Sequence, residues 1–569
     1  MGDSEASTMK KTMPIGIDDF GKLISGNFYL VDKSRFIKEL LDRKTQVTLI
    51  TRPRRFGKTL NLSMLKRFFS LHNAEENRKL FNGLEIERFG EKYMKEQGTY
   101  PTIFLTLKDV QGLSFDEMMG LLREIMSELY MRFDYLENSP RLTFQEKRDF
   151  SLILNGEGDI FKLRFSLFNL AKYLAKHHEK KAVILIDEYD SPIINAWTHG
   201  YYDKTIDFMR GFLSKALKTN EYLDFAVLTG ITRVSKESIF SGLNNLRVYS
   251  VLSEIYSDIF GFTVEETENM LKESGFAEKF DELKKWYDGY IIGDCEIYNP
   301  WSIINFIDNN CKYSPYWINV SGNAIIKELL NNIDEERKQE IIGLIEGNAV
   351  DTPLEENTVY ADLHTGRDAL YMMLLHTGYL KAVKSYVDRR GREWLTLKIP
   401  NREVLLAYES EIMKHIAPRR GETTLTNMFD AMTEGNEEAF SKCLSSLLLN
   451  YVSFHDAGNG ENFYHGFLLG LSVYFKDTYR IESNKESGYG RFDIAFFPSD
   501  NKYAGIIIEI KLAKSEDEME NLAESALKQI SDKAYTAEFK KRGTAKIWAY
   551  GVAFCGKRVR IASLEESLC

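Results

Sequence analysis

An apolar run at 46–51 (QVTLIT) is followed by a basic loop and then by 58–71 (KTLNLSMLKRFFSL), where apolar residues recur every three or four positions. That pattern predicts a strand, a loop and a helix. Further apolar runs fall at 101–107 (PTIFLTL), 182–186 (AVILI) and 224–229 (DFAVLT), with a fifth short one at 247–251. The stretches 115–176 and 203–219 carry helical periodicity. Unbroken apolar strands alternating with long helices predict a parallel sheet covered on both faces.

From 262 to about 338 the pattern reads as mostly helical. The stretch 374–405 then reads as helix end, strand, turn, strand, helix. Its turn, Asp388-Arg389-Arg390-Gly391-Arg392, lies between two alternating strands. This is the pattern of a winged-helix-like module with arginines on the wing, or of a basic hairpin with no partner. A helical stretch at 424–451 leads to the polar segment 455–462 (HDAGNGEN), a boundary signal. Beyond it come a helix at 461–475, strands near Tyr479, Phe492 and Ile506, a helix at 517–533, and strands near Trp548 and Val559. The expected boundaries are a tail at 1–13, a core at 14–260, a helical lid at 261–345, the winged-helix-like region at 346–423, and a second α/β domain with its helical lead-in at 424–569.

Composition narrows the classes. With 44% hydrophobic and 13% aromatic residues among 569, the chain has the apolar material for cores and is not a disordered polymer. The net charge of −10 argues against a chain that coats nucleic acid non-specifically, so any such contact must use local basic patches. The five cysteines are scattered and never in C-x-x-C spacing, which argues against a disulfide framework or zinc site and suits the reducing cytoplasm. The first residues, MGDSEASTMKKTMP, lack the apolar core of a secretory signal. No apolar run approaches the ~18 residues of a membrane span, so no membrane partner is expected.

The loop Arg52-Pro53-Arg54-Arg55-Phe56-Gly57-Lys58-Thr59 follows a buried strand and opens a helix, the context of a phosphate loop. Backbone N–H groups at a helix N-terminus cradle phosphates. Arg54, Arg55, Phe56 and Gly57 would bind the nucleotide's phosphates as the loop, Lys58 would reach the terminal phosphates, and Thr59 would hold Mg²⁺. Arg52 stands where such loops carry their first glycine. The run 183–188 (VILIDE) ends an apolar strand in two acids. Asp187 would hold Mg²⁺ and Glu188 would activate the attacking water, although two such acids can also simply meet solvent. Thr229, ending the fourth strand, would sit beside the terminal phosphate or make a local bond. Arg233 would bind phosphate or be a surface arginine.

These segments together resemble the bacterial and archaeal AAA-ATPase-like family. The resemblance rests on DFGKLISGNFYLVDKSRFIKELL, LITRPRRFGKTLNLSMLKRFF and VILIDEYDSPI, and on the later blocks Ser241–Asn245, Phe260–Thr263, Trp286–Tyr290 and Tyr298–Ser302. It covers most of residues 14 to about 325. It implies a P-loop NTPase parallel sheet with a helical lid, and ATP with Mg²⁺ as ligands. It also makes the arginine at position 52 a family trait.

In the last region Asp493 (GRFD) precedes the strand 504–511, which ends Ile508-Glu509-Ile510-Lys511. Alternation puts Glu509 and Lys511 on one face. Paired carboxylates suit Mg²⁺ or Mn²⁺, and Lys511 could position a water for attack on phosphorus. An E-x-K on a strand is also an ordinary surface ion pair. The order of an acid-bearing helix (Glu461), Asp493, E-x-K and a helix carrying Gln529 resembles the PD-(D/E)xK nuclease superfamily, over about 460–560. By that resemblance Asp493, Glu509 and Lys511 carry catalysis with Gln529 as an auxiliary catalytic residue, and Asp493 and Glu509 hold metal with Glu461 as an auxiliary ligand. The clusters Lys540-Lys541-Arg542 and Lys557-Arg558-Arg560 offer local charge for phosphate backbone, or form solvated faces.

The fold class expected is therefore α/β: a P-loop NTPase sheet with lid, a winged-helix-like middle and a PD-(D/E)xK-type domain. The expected function is an ATPase acting as switch or loader for a metal-dependent nuclease, with DNA ahead of RNA as substrate and homo-oligomerisation open. The alternatives are a nucleotide-dependent regulator whose nuclease fold only binds nucleic acid, and an ATP-binding module that no longer hydrolyses.

Overall fold

The computed structural model describes residues 11–232, 244–317, 335–345, 347–354, 367–408, 422–451, 461–472, 475, 478–487, 490–500 and 503–567. They fall into two compact units, Met1–Asn332 with Ala349–Val404, and Ile333–Asn348 with Leu405–Cys569.

In the first unit five strands, β1 (Val47–Thr51), β2 (Thr102–Thr106), β3 (Ala182–Asp187), β4 (Leu223–Gly230) and β5 (Leu246–Tyr249), form one parallel sheet in the order β2-β3-β4-β1-β5. β1 and β3 are buried along their whole length, as their unbroken apolar sequences require. The register sets Thr51 beside Gly230 and Thr106 beside Asp187, so the strands end along one carboxyl edge. Helix Lys58–Phe69 packs Leu62, Leu65, Phe68 and Phe69 against Ile50, Val183, Leu185 and Val227. Between β2 and β3 run helices Phe115–Met131, Phe144–Leu154 and Ile160–His178, started by Ser114, by a Thr143–Glu146 capping box and by Asp159.

The segment after 262 is less helical than its sequence suggests. Strands β6 (Phe262–Thr263), β7 (Tyr290–Ile292) and β8 (Cys295–Tyr298) form an antiparallel sheet in the order β6-β8-β7, set among helices Val264–Glu273, Phe280–Tyr287 and Pro300–Asp308. Strands of two to four residues are too short to display alternation. β9 (Val350–Pro353), β10 (Lys381–Val387) and β11 (Glu393–Lys398) form a second antiparallel sheet, β10-β11-β9, preceded in part by helix Arg367–Thr377. Leu395 and Leu397 are buried, while the turn between β10 and β11 is exposed.

In the second unit β12 (Tyr479–Ser487), β13 (Gly490–Pro498), β14 (Gly505–Leu512), β15 (Lys546–Cys555) and β16 (Arg558–Ser567) form a mixed sheet in chain order, with only β14 and β15 parallel. Helices Glu422–Glu434 and Glu437–Tyr451 fill the helical stretch expected at 424–451. Gly435, at φ 77°, separates the two. Those helices and helix Glu461–Ser472 cover Ile506, Ile508 and Ile510, while Ile507 packs on the other face with Ile530, Tyr535 and Phe539. Helix Met519–Asp532 lies so close to β15 that a side chain at Gly551 would overlap the Ala523 carbonyl oxygen. Among the described residues no helix is long and apolar enough to cross a membrane. No disulfide joins any of the described cysteines, Cys295, Cys311, Cys443 and Cys555, to another.

Candidate phosphate-loop and nuclease sites

The phosphate loop joins β1 to the helix beginning at Lys58. Its left-handed backbone positions are Arg55 (φ 68°) and Gly57 (φ 79°), not Arg52. The glycine missing at 52 is therefore not required by the backbone. Arg52 is fully buried, and its guanidinium donates to the carbonyls of Thr51 (2.8 Å), Tyr249 (2.9 Å), Ser250 (2.8 Å) and Tyr256 (3.0 Å). Burial pulls its pKa down to about 9, still above neutral pH. The guanidinium thus ties the loop's first residue to the end of β5 and the segment beyond it.

Lys58 is 7% exposed and donates to the carbonyls of Arg52 (2.9 Å) and Pro53 (2.8 Å). Burial lowers its pKa to about 8, against the opposing pull of Glu188, Asp187 and Asp190. Asp187 accepts from Thr59 Oγ1 at 2.7 Å and from Thr229 Oγ1 at 2.6 Å. The structure thus brings Lys58, Thr59, Asp187 and Thr229 together, and the Thr229 hydroxyl makes the local bond its strand-end position allowed. Glu188 has a left-handed backbone (φ 51°) and accepts from Ser191 Oγ at 3.0 Å. Arg55 lies over the Trp301 ring at 4.5 Å, the Arg54 carbonyl accepts from the Trp317 indole at 3.1 Å, and buried Phe56 packs edge-on to Tyr290. Arg233, like 241–243 of the Ser241–Asn245 block, lies outside the described residues.

Two buried acids here escape sequence reasoning. Asp190 accepts from the backbone N–H groups of Ile231 (2.8 Å) and Thr232 (2.9 Å), tying the ends of β3 and β4 together. Burial raises its pKa despite those bonds. Its signal was the last acid of VILIDEYD. Glu403 is fully buried and accepts from Ser302 Oγ (2.7 Å) and Trp317 N (2.6 Å). Burial pushes its pKa up to about 7. No local motif marks it.

In the second unit Asp493 sits where the β13–β14 ladder ends, and its Oδ2 accepts from Ile510 N at 2.7 Å. Glu509 is 3% exposed. Its Oε1 accepts from Lys511 Nζ at 3.3 Å and from Gln529 Nε2, while its Oε2 is buried with no hydrogen-bond partner among the described residues. Burial and the neighbouring Asp493 push Glu509 up to about 7, and burial raises Asp493 too. Asp493, Glu509, Lys511 and Gln529 thus form one connected group. Glu461 is exposed at the start of its helix, where it feels the charges of Lys511 and Asp493. Among the described residues no three His, Cys, Asp or Glu side chains gather as a metal-ligand cluster, so Glu461 is not drawn in beside the two carboxylates. His465, one turn along from Glu461, was missed: its Nε2 lies 3.1 Å from the Asp493 carbonyl oxygen and 3.0 Å from Ser483 Oγ. The i, i+4 spacing from Glu461 was the available signal.

Half of the residues in the C-terminal basic clusters are paired with acids. Arg542 pairs with Glu538 and Glu482, Arg558 with Glu516, and Lys540 with Glu566 at 3.7 Å.

Comparison with known proteins agrees with this geometry. Residues 14–240 match the family described as a predicted AAA-ATPase, and residues 459–564 match the PD-(D/E)XK nuclease superfamily. The chain is also 26% identical, over 582 aligned positions covering 98% of it and 99% of the relative, to an uncharacterized protein in the vnfD 5' region of Azotobacter chroococcum mcd 1. The chain thus joins a domain of the predicted AAA-ATPase family, at residues 14–240, to one of the PD-(D/E)XK nuclease superfamily, at residues 459–564.

Proposed function

We propose that this protein is a cytoplasmic ATPase joined to a metal-dependent nuclease that cuts phosphodiester bonds in DNA, with the ATPase acting as switch or loader. The observation that carries the nuclease reading is the buried Oε2 of Glu509, without a partner among the described residues, in a group that also holds Asp493, Lys511 and Gln529. An isolated buried carboxylate oxygen is costly, and a divalent cation would satisfy it. The donors present, two carboxylates, are hard oxygen ligands that suit Mg²⁺ or Mn²⁺. Asp493 and Glu509 would hold the cation, which when bound supplies Lewis acidity at a phosphoryl oxygen. Lys511 would orient the attacking water and offset the charge on the scissile phosphate. Gln529 holds Glu509 from the helix side and fixes its rotamer.

In the first unit the Arg52–Thr59 loop would take the ATP phosphates. Lys58 would exchange its two loop carbonyls for phosphate oxygens. Thr59 and Asp187, already in contact, would hold Mg²⁺. Glu188 would activate the water, with Ser191 orienting its carboxylate.

The test is incubation of the purified chain with linear DNA, circular DNA and RNA, with and without Mg²⁺ and ATP. The reading expects DNA cleavage that needs Mg²⁺ and ATP hydrolysis that survives loss of the nuclease carboxylates. Binding without cleavage across the panel would hand the chain to the non-cleaving, regulatory alternative.

A further inference from the structure

The turn between β10 and β11 is fixed from within. Asp388 Oδ1 accepts from Arg390 N at 2.7 Å and Arg392 N at 2.9 Å, its Oδ2 accepts from the Trp394 indole at 3.1 Å, and Asp388 N donates to the Arg392 carbonyl at 2.8 Å. These bonds hold the Asp388 carboxyl below its ordinary pKa, so the turn stays braced at neutral pH. The backbone of the tip is thereby ordered before any partner arrives, which lowers the entropic cost of binding.

The side chains on this braced tip are cationic. Arg389, Arg390 and Arg392 are all exposed, and among the described residues their guanidinium groups make no ion pair or hydrogen bond. Lys384 and Lys398 on the flanking strands are exposed as well. Across 381–398 six Lys and Arg face two acids, in a chain whose net charge is −10. The C-terminal basic residues Lys540, Arg542 and Arg558 each have an acidic partner. Tyr386 and Trp394 pair across the ladder, with rings 13° from coplanar, and stiffen the arm that carries the arginines. Exposed arginines on a braced turn match the phosphate oxygens of a nucleic-acid backbone, which guanidinium groups bind bidentately.

We infer that the β10–β11 hairpin is a docking arm for the phosphate backbone of duplex DNA, with Arg389, Arg390 and Arg392 as the residues that meet it. The inference rests on the nuclease reading above for the identity of the partner, and adds the surface that holds it.

The experiment measures binding of a short labelled DNA duplex to the full chain in EDTA, across a salt titration. The parent is compared with the combined Arg389→Gln, Arg390→Gln, Arg392→Gln variant and with a control carrying Lys540→Gln and Arg558→Gln. Because the three arginines are exposed and unpaired among the described residues, the variant should melt with the parent and bind ATP as the parent does. Its affinity for the duplex should fall tenfold or more. The slope of log K against log salt should become shallower by about 0.9 for each phosphate that the arm no longer neutralises, up to ~2.7 for three. The control should change little. Single substitutions provide a second reading, each expected to remove part of the slope. Unchanged affinity and slope in the triple variant, with a parent that binds DNA, would overturn the docking arm and leave the nuclease reading standing. An effect of the triple variant confined to an RNA duplex would overturn the choice of DNA. A parent that binds no nucleic acid at all would overturn both.

Discussion

The ammonium of Lys58 donates to the carbonyl of Arg52 at 2.9 Å, and the side chain of that same Arg52 is turned the other way, into the protein. The two residues divide the work of the loop. One anchors its entry to the end of β5 and the segment beyond. The other rests on the loop's own carbonyls, from which the proposed function would have it pass to phosphate.

Lys58→Ala removes that charge while leaving the Arg52 anchor in place. Binding of a labelled ATP analogue should drop tenfold or more. Full-strength binding by the variant would mean that the loop is not the phosphate site.

Arg52→Met should act through stability instead. It removes the guanidinium from four carbonyls, of which Ser250's keeps the Ser253 N–H, and a buried group left unsatisfied costs about 1–3 kcal/mol. With partial relaxation, a loss of roughly 3 kcal/mol in denaturant unfolding is expected. A variant as stable as the parent would show that the buried guanidinium is not an anchor.

Glu188→Gln should separate binding from turnover. Asp187, Thr59 and Lys58 are untouched, so ATP affinity should hold within a few fold. Hydrolysis should slow by about 10²-fold or more, because the water loses its base. Turnover at the parent rate would remove Glu188 from the mechanism.

Glu403 supplies a pH dependence. Its pKa in the folded chain is raised to about 7 from an ordinary value near 4.5, so between those values the folded state holds more protons than the unfolded. Its stabilising contribution is complete below about pH 4.5 and is lost as pH rises through 7. Glu403→Gln, which keeps the shape without the charge, should flatten the fall in melting temperature between pH 5 and pH 7.5. An identical pH profile in parent and variant would mean that Glu403 keeps its ordinary pKa.

What the sequence made legible and what it did not can be sorted by range. β1 and β3 were readable because strands of a covered parallel sheet are apolar at every position. The grouping of Lys58, Thr59 and Asp187 followed from their places at the ends of those strands. The anchoring of Arg52 was not readable, because its distant acceptors lie 197 to 204 positions along the chain. Glu403 was hidden for the same reason, since its partners Ser302 and Trp317 are 101 and 86 positions away. β6 and β7 are too short to show a period. In the second unit the alternation of Glu509 and Lys511 was a local pattern and is seen as a 3.3 Å ion pair. Gln529 was suggested only by the order of elements that the superfamily resemblance supplied, and His465 by nothing stronger than a helical repeat.

The central claim is that the carboxylates at Asp493 and Glu509 make a metal-dependent phosphodiesterase. It is tested most directly by Mg²⁺-dependent DNA cleavage in the parent, in Asp493→Ala and in Lys511→Ala, with metal binding measured alongside. The account predicts that both variants lose cleavage by about 10²-fold or more. Asp493→Ala should also lose metal affinity. Lys511→Ala should keep it, since a protonated lysine offers no lone pair. Persistent Mg²⁺-dependent cleavage by the purified Asp493→Ala protein would contradict it.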